Sequence, residues 1–534
     1  MPPSVGTKGA LLSHHIPNSR STVAPSGSTL STSRFVFRRS FASTRLRLLA
    51  TLLFALSLGA GLAAWLDRQG FIALAHDLAP APFRDGDVVC FLGDSITEDG
   101  RFIAYLRAFY LTRFPDRRIR FVNTGTPGDS VGDARRRLDW DVLPHQPTVV
   151  SLMFGMNDVR RRYYDPAATL PDLPARRTQA LENFHWNMDV LAGQLAPLHP
   201  RLIFVTSSPY DETASLDAPS LPGVNRALAR TRPLLARLAR KYRGDLIDLH
   251  APLTALNADL QSSSPTATLV GPDRIHPGAP GHLLIASHYL LAQNVPSIVS
   301  DFALDPSNGE VSRALNGRIT LLSSEPGRFA FECEEFALPF PIDDAARAAL
   351  DWFPLHDRLN RQRLAISLDK SDDATYRLLI DGETIADFSA AELRAGVNLA
   401  PLAHTPQSRQ ARAVLTTLEE YRQLELQLRR LAAVRALLRN AKLDPSDDTA
   451  VETFFASHLA APHNTHLAYF EPLFADYRTL RHTTDVIDAE LARLNDILHQ
   501  LNRPVPHRYE LVRLSPDTLS DLTQPKTLTS SVAP

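Results

Sequence analysis

Between residues 87 and 300 short apolar runs alternate with helix-like stretches. That rhythm predicts an α/β fold, a parallel five-stranded sheet covered by helices on both faces, three layers in all. Three observations carry the expectation. Runs suited to buried strands fall at 87–92, 118–122, 148–154, 201–206 and 245–249. Helical stretches lie at about 99–114, 130–142, 176–197, 224–242 and 279–293. Gly, Asn, Asp, Ser and His then gather just past the ends of several strands, which is where a parallel sheet places its ligand site.

Asp87 to Leu92 is mostly apolar, with β-branched Val88 and Val89, and follows a turn at Arg84-Asp85-Gly86. Gly93 breaks the strand and Ser95 sits at the turn before the first helix. A serine there holds its hydroxyl clear of the sheet, and the N–H groups of the next helix face any negative charge that develops beside it. The plainer reading makes Ser95 or Thr97 a helix cap. Strand two runs into Asn123-Thr124-Gly125-Thr126-Pro127-Gly128-Asp129-Ser130, and strand three into Gly155-Met156-Asn157-Asp158. Gly271-Pro272-Asp273-Arg274-Ile275-His276-Pro277 precedes the last helix. Turn formation explains any one of these blocks, because Gly, Asn and Asp punctuate loops. It explains four together poorly.

These four blocks, in this order, resemble the SGNH (GDSL-type) hydrolase family, over about 87–295, some 40% of the chain. The resemblance implies a flavodoxin-like three-layer domain with Ser95 as nucleophile and Asp273 and His276 as its partners. It also implies an oxyanion hole from the Ser95 amide, the Gly128 amide and the Asn157 side chain, with no metal and no cofactor. The sequence departs from the pattern at Thr126-Pro127, which leaves Gly125 as a rival to Gly128.

The chemistry of these residue types agrees. A neutral imidazole at His276 takes the Ser95 proton. Asp273, three residues earlier, reaches the other ring nitrogen and holds the tautomer. Each oxyanion donor is typically worth about 3 kcal/mol of barrier. The reaction is then acyl transfer through an acyl-Ser95, followed by attack of water. No Gly-x-Ser-x-Gly elbow and no phosphate loop is present. His282 and His288 on the last helix read as surface or packing residues, and His250 as structural. Asp94 and Asp158 read as loop-holding groups, and Arg160-Arg161-Arg162 as a solvated basic loop rather than a grip on an anionic substrate.

A chain of 534 residues is too long for one core. With 44% hydrophobic and 22% charged residues and a net charge of -1, it is no nucleic-acid binder. Of its two cysteines, Cys90 lies inside a strand and reads as a buried small hydrophobe rather than half of a disulfide to Cys333. Residues 1–47 are basic, polar and free of Asp and Glu. Leu48 to Leu66 is an uncharged run of 19 residues, long enough to span a bilayer as a helix. Basic leader and apolar run together predict export of everything beyond Asp67. Ala73-Leu74-Ala75 suits cleavage and the length of the run suits a retained membrane anchor. Arg38-Arg39 is similar to a twin-arginine signal, though Arg45 and Arg47 interrupt it.

Residues 67–86 read as a linker and 87–300 as the hydrolase domain. A β-rich module is expected at 301–404, with strands near 318–322, 329–333, 364–368 and 376–385 and a hairpin signal at Asp381-Gly382. Residues 376–400 resemble the C-terminal extension of certain bacterial exported SGNH proteins. A helical region at 405–505 carries two apolar stripes, Val414, Leu418, Tyr421, Leu424, Leu428, Leu431 and Leu438, then Val486, Leu491, Leu494, Leu498 and Leu501. It reads as a helical hairpin packed on its own chain, in preference to a dimerising coiled coil or a platform over the active site. Residues 506–534 read as a tail.

The sequence therefore points to an exported serine esterase, anchored through 48–66 or released from it, acting on esters such as O-acetyl groups of a glycan. An O-acyltransferase on a glycan and a non-catalytic envelope scaffold are the competing readings.

Overall fold

The computed structural model describes residues 77–460 and 467–515. The leader, the apolar run at 48–66 and the chain beyond 515 lie outside the described residues. Among the described residues no helix is long and apolar enough to cross a membrane.

The α/β domain is built from β1 (Val88–Gly93), α1 (Ser95–Glu98), α2 (Arg101–Arg113), β2 (Arg120–Gly125), α3 (Val131–Arg137), β3 (Val149–Phe154), α4 (Leu173–Leu195), β4 (Arg201–Thr206), α5 (Val224–Tyr242), β5 (Asp245–Ile247), α6 (His250–Ser263) and α7 (Ala279–Ala292). The five strands are parallel, in the order β2-β1-β3-β4-β5. Successive side chains of a strand face opposite sides. Val89 and Phe91 of β1 therefore enter one apolar cluster, and Cys90 and Leu92 the other. This burial on both faces is why the strands read as continuous apolar runs. Cys90 and Cys333 are both buried free thiols, and burial pushes the Cys90 thiol up to about 12.

The helix expected over about 99–114 is present as α2, starting at Arg101 behind Gly100, whose left-handed φ of 78° separates it from α1. Two local readings need correction. The helix expected to 142 ends at Arg137 and widens into a π turn, Leu138–Val142, that carries Asp141. Helix α6 was not expected, although Leu253, Leu256 and Leu260 recur at helical spacing and pack on the core. The linker reading also fails near its end. Phe83 is fully buried, its N–H donating to the Tyr110 hydroxyl at 2.9 Å.

The β-rich part holds two sheets. Strands β6 (Ile298–Asp305), β7 (Glu310–Leu315), β8 (Gly317–Glu325), β9 (Arg328–Glu335), β10 (Arg361–Ile366), β11 (Thr375–Ile380), β12 (Glu383–Ser389) and β13 (Val397–Asn398) precede the helices, and β14 (His507–Arg513) follows them. One sheet runs β13-β10-β6-β7 and the other β12-β11-β14-β9-β8. Asp381 and Gly382 turn the β11–β12 hairpin with φ of 51° and 83°, the left-handed pair a tight hairpin turn requires. The expected tail from 506 is thus corrected: β14 is a central strand, with Tyr509 and Leu511 buried at alternate positions.

The expected hairpin is likewise four helices, α8 (Pro406–Asn440), α9 (Asp448–Leu459), α10 (Leu467–Leu480) and α11 (Thr484–Leu501). Thr405 caps the 35-residue α8 by accepting the Ser408 N–H. Val414, Leu418, Leu431 and Leu438 of its stripe are buried, and the helix packs along α2, α10 and α11. In the second stripe Leu491, Leu494 and Leu498 are buried, but Val486 is 69% exposed.

Candidate active site

The turn after β1 is set by what Gly93 lacks. A Cβ there would stand 2.1 Å from the Thr97 hydroxyl oxygen and 2.9 Å from the Met153 carbonyl. Asp94, not Ser95 or Thr97, caps α1: its Oδ1 accepts the Ile96 N–H at 3.1 Å. The Ser95 hydroxyl is left for another partner, and its Oγ lies 2.7 Å from His276 Nε2.

His276 stands in the loop before α7. Its Nδ1 lies 2.5 Å from Asp273 Oδ2, while Asp273 Oδ1 accepts the backbone N–H groups of Ile275 and His276 at 3.0 Å each. Partial burial pushes the Asp273 carboxyl up, but the His276 ring and the two backbone N–H groups outweigh it and hold the carboxyl below its usual range. Both side chains are 48% exposed, so the pair opens to solvent. The loop is anchored by Arg274, a buried residue at φ 69° whose guanidinium donates to the carbonyls of Asp211, Ala214, Leu216 and Ala218.

The two rival glycines differ in what their backbones do. The Gly125 N–H donates to Asn123 Oδ1 at 2.9 Å, and a Cβ on Gly125 would stand 2.2 Å from the Glu98 nitrogen. Its amide is spent and its place is closed. Gly128 has open space around it and a φ of 78°. Thr126-Pro127-Gly128-Asp129 closes as a turn, with the Asp129 N–H donating to the Thr126 carbonyl at 3.2 Å. Pro second and a left-handed Gly third is the type II pattern, which accounts for the Thr-Pro departure. Asn157 Nδ2 donates to the Asp129 carbonyl at 3.0 Å, and its Oδ1 accepts Arg161 Nη1 at 3.1 Å. These bonds orient the amide, and a second Nδ2 hydrogen remains for a ligand.

Ser95, Gly128, Asn157, Arg161 and His276 line one cavity of about 810 Å³. Its opposite wall comes from the C-terminal helices, with Arg430 and Ala433 of α8 and Phe470, Leu473 and Asp476 of α10. The helical region therefore packs on its own chain and also walls this cavity. Arg430 Nη1 meets Asp476 Oδ2 at 2.7 Å across the two helices.

Other residues fall into place. Asp158 Oδ1 accepts the Val131 N–H at 3.0 Å, and burial pushes its carboxyl up to about 7. Burial likewise pushes Asp94 up to about 6. His250 Nε2 lies 2.8 Å from Asn225 Oδ1, a structural contact. His288 Nδ1 meets the Leu284 carbonyl at 2.9 Å. Of the surface and packing alternatives His282 takes the second: it is 1% exposed, stacks on Phe102 and places Nε2 3.3 Å from Asp99 Oδ1. The solvated-loop reading fails for Arg161, which also holds the Met156 carbonyl at 2.7 Å, while Arg160 and Arg162 stay exposed. Among the described residues no group of three or more His, Cys, Asp or Glu is arranged to hold a metal ion.

Comparison with known proteins places the domain among its relatives. Residues 91–284 match the model of the GDSL-like lipase/acylhydrolase family. An acetylxylan esterase of Geobacillus stearothermophilus is 28% identical over 222 residues, 38% of this chain and 93% of that one. The solved structure of a gut microbial diltiazem-metabolizing enzyme is similar over 82% of this chain and 99% of its own, with 28% identity and a TM-score of 0.75. That second similarity reaches well beyond the hydrolase domain. The chain thus carries a GDSL-like lipase/acylhydrolase domain of the SGNH family and is a serine hydrolase of the esterase kind.

Proposed function

We propose that the protein hydrolyses carboxylic esters through an acyl-Ser95 intermediate, with O-acetyl groups on carbohydrates as the substrate class. The observation that carries the reading is the unbroken chain Ser95 Oγ, His276 Nε2, His276 Nδ1, Asp273 Oδ2, at 2.7 and 2.5 Å. His276 takes the hydroxyl proton as Oγ attacks the ester carbonyl, and Asp273 steadies the imidazolium that forms. The negative oxygen is received by the Ser95 and Gly128 amides and the Asn157 side chain. His276 then returns the proton to the leaving alcohol. Water then attacks the acyl carbonyl, its proton passing to His276 and from there to Ser95 Oγ as the acyl–Oγ bond breaks, which releases the acid and restores Ser95 and a neutral His276.

The substrate class has two supports. One is the similarity to an acetylxylan esterase. The other is the far wall of the cavity, where the Phe470 ring and the Arg430–Asp476 pair offer an apolar face beside charged hydrogen-bonding groups, a combination suited to the faces and hydroxyls of a sugar ring. The basic leader and the apolar run at 48–66 support a place outside the cytoplasm.

The test is acetate release from acetylated xylo-oligosaccharides, p-nitrophenyl acetate and diltiazem, by wild type and Ser95→Ala side by side. We expect wild-type turnover and a loss of about a thousandfold or more in kcat for the variant. Equal rates would refute the reading. Acetyl transfer to an added sugar in place of acetate release would favour the transferase.

A further inference from the structure

We infer that Arg429, on the C-terminal helix α8, is a positioning residue for the oxyanion hole. The inference rests on Gly128 being an oxyanion donor, as proposed above. The Gly128 turn has little to hold it at its tip, because Gly128 itself is exposed with open space around it. Its place is set by the residues on either side. On the near side stands Arg429, whose side chain is 7% exposed. Its Nε donates to the Gly125 carbonyl at 2.9 Å and its Nη2 to the Thr126 hydroxyl at 3.1 Å. The same guanidinium meets both oxygens of Asp141, at 2.7 and 2.8 Å.

On the far side Arg137 holds the Asp129 carboxylate at 2.7 Å. It also meets Asp141 at 2.5 Å and the Gly93 carbonyl at 3.3 Å. That carbonyl accepts the Thr126 N–H as well, at 3.1 Å. Asp141 is thus shared by two buried arginines that between them grip both ends of the turn. Through Gly93 the same network reaches the strand end from which Ser95 projects.

A buried, planar guanidinium meeting a carboxylate with two nitrogens fixes direction as well as distance. Gly125 and Arg429 are 304 residues apart, so the C-terminal region supplies part of the framework of the hydrolase site. The framework is selective. Arg429 touches neither Ser95 nor His276, so its loss should displace the Gly128 amide and leave the nucleophile and base in place.

The experiment compares wild type, Arg429→Lys, Arg429→Ala, Ser95→Ala and Asn502→Ala in the full chain, with p-nitrophenyl acetate as substrate. Asn502 is buried and ties the end of α11 to the Leu111 and Pro115 carbonyls, away from the turn, so its variant controls for loosened docking. We expect Arg429→Lys and Arg429→Ala to lose roughly 10- to 100-fold in kcat with KM within about twofold, the size a displaced catalytic group costs. Affinity for methylboronic acid, which forms a tetrahedral adduct on serine, should fall in step with kcat. Guanidinium at sub-denaturing concentration should restore part of the Arg429→Ala rate where sodium chloride does not.

Folded Arg429 variants with wild-type kcat, beside an inactive Ser95→Ala, would overturn the inference and leave the active-site reading standing. A drop no larger than that of Asn502→Ala at matched thermal stability would also overturn it, as a purely structural role. An active Ser95→Ala would remove both.

Discussion

The catalytic loops and the helices that face them are built in opposite ways. Ser95, Gly128 and Asn157 arrive just past β1, β2 and β3, and His276 on the loop between α6 and α7. Short-range hydrogen bonds shape three of these blocks, with Asp94 Oδ1 accepting from Ile96, Asp273 Oδ1 from His276 and the Thr126 carbonyl from Asp129. The facing wall arrives from far along the chain. Arg430 and Asp476 project from separate helices and meet across 46 residues of sequence. Local construction suits chemistry, because short loops on a rigid sheet fix reacting atoms closely. Distant construction suits discrimination, because a helical wall can change without disturbing the nucleophile.

This contrast can be broken by substitutions on the two sides. The largest effect is expected on the catalytic side. Asp273→Asn should lower kcat by roughly a hundred- to ten-thousandfold while KM moves little, because the imidazole loses the carboxylate that orients it. Steady-state kinetics on p-nitrophenyl acetate reads this directly, and a wild-type kcat would mean that Asp273 merely shapes its loop.

The next effect concerns stability beneath the site. Burial pushes His282 down to about 4, against the opposing pull of Asp99. The folded chain keeps it neutral, whereas an unfolded chain, with an ordinary imidazole near 6.5, takes up a proton. Its contribution is therefore full above about pH 6.5 and is lost as pH falls toward 4. His282→Gln should flatten that part of the stability curve by at most about 3 kcal/mol, seen as converging urea midpoints of variant and wild type on acidification. His250 is pushed down to about 4 as well and keeps its own share in the same window. Parallel curves would show that His282 titrates normally.

The smallest effect is expected on the facing wall. Phe470→Ala should raise KM for acetylated xylo-oligosaccharides several-fold, the worth of about 1 kcal/mol of lost ring contact, and leave p-nitrophenyl acetate untouched. An equal change on both substrates would show that the wall does not discriminate.

The same contrast explains what could be read from the sequence. Gly93-Asp94-Ser95, Gly155 to Asp158 and Asp273 to His276 were legible because each block is contiguous and its geometry local. The Pro127-Gly128 pair even carried its own turn type, though only the spent amide of Gly125 separates the two glycines physically. Arg161 was misread because nothing local says which of three successive arginines turns inward. Arg429 gave no signal: it is one arginine among many on α8, and what sets it apart is Asp141 on another element. Strand β14 did carry the alternating pattern of Tyr509 and Leu511, hidden by its position after the helices.

The most direct measurement is labelling by a fluorophosphonate, read by peptide mass spectrometry on wild type and His276→Ala. We expect one phosphonyl group, on Ser95, in wild type and almost none in the variant, because the attacking oxygen must lose its proton to His276. A label on another residue, or an unlabelled wild type that still turns over p-nitrophenyl acetate, would contradict Ser95 as the nucleophile.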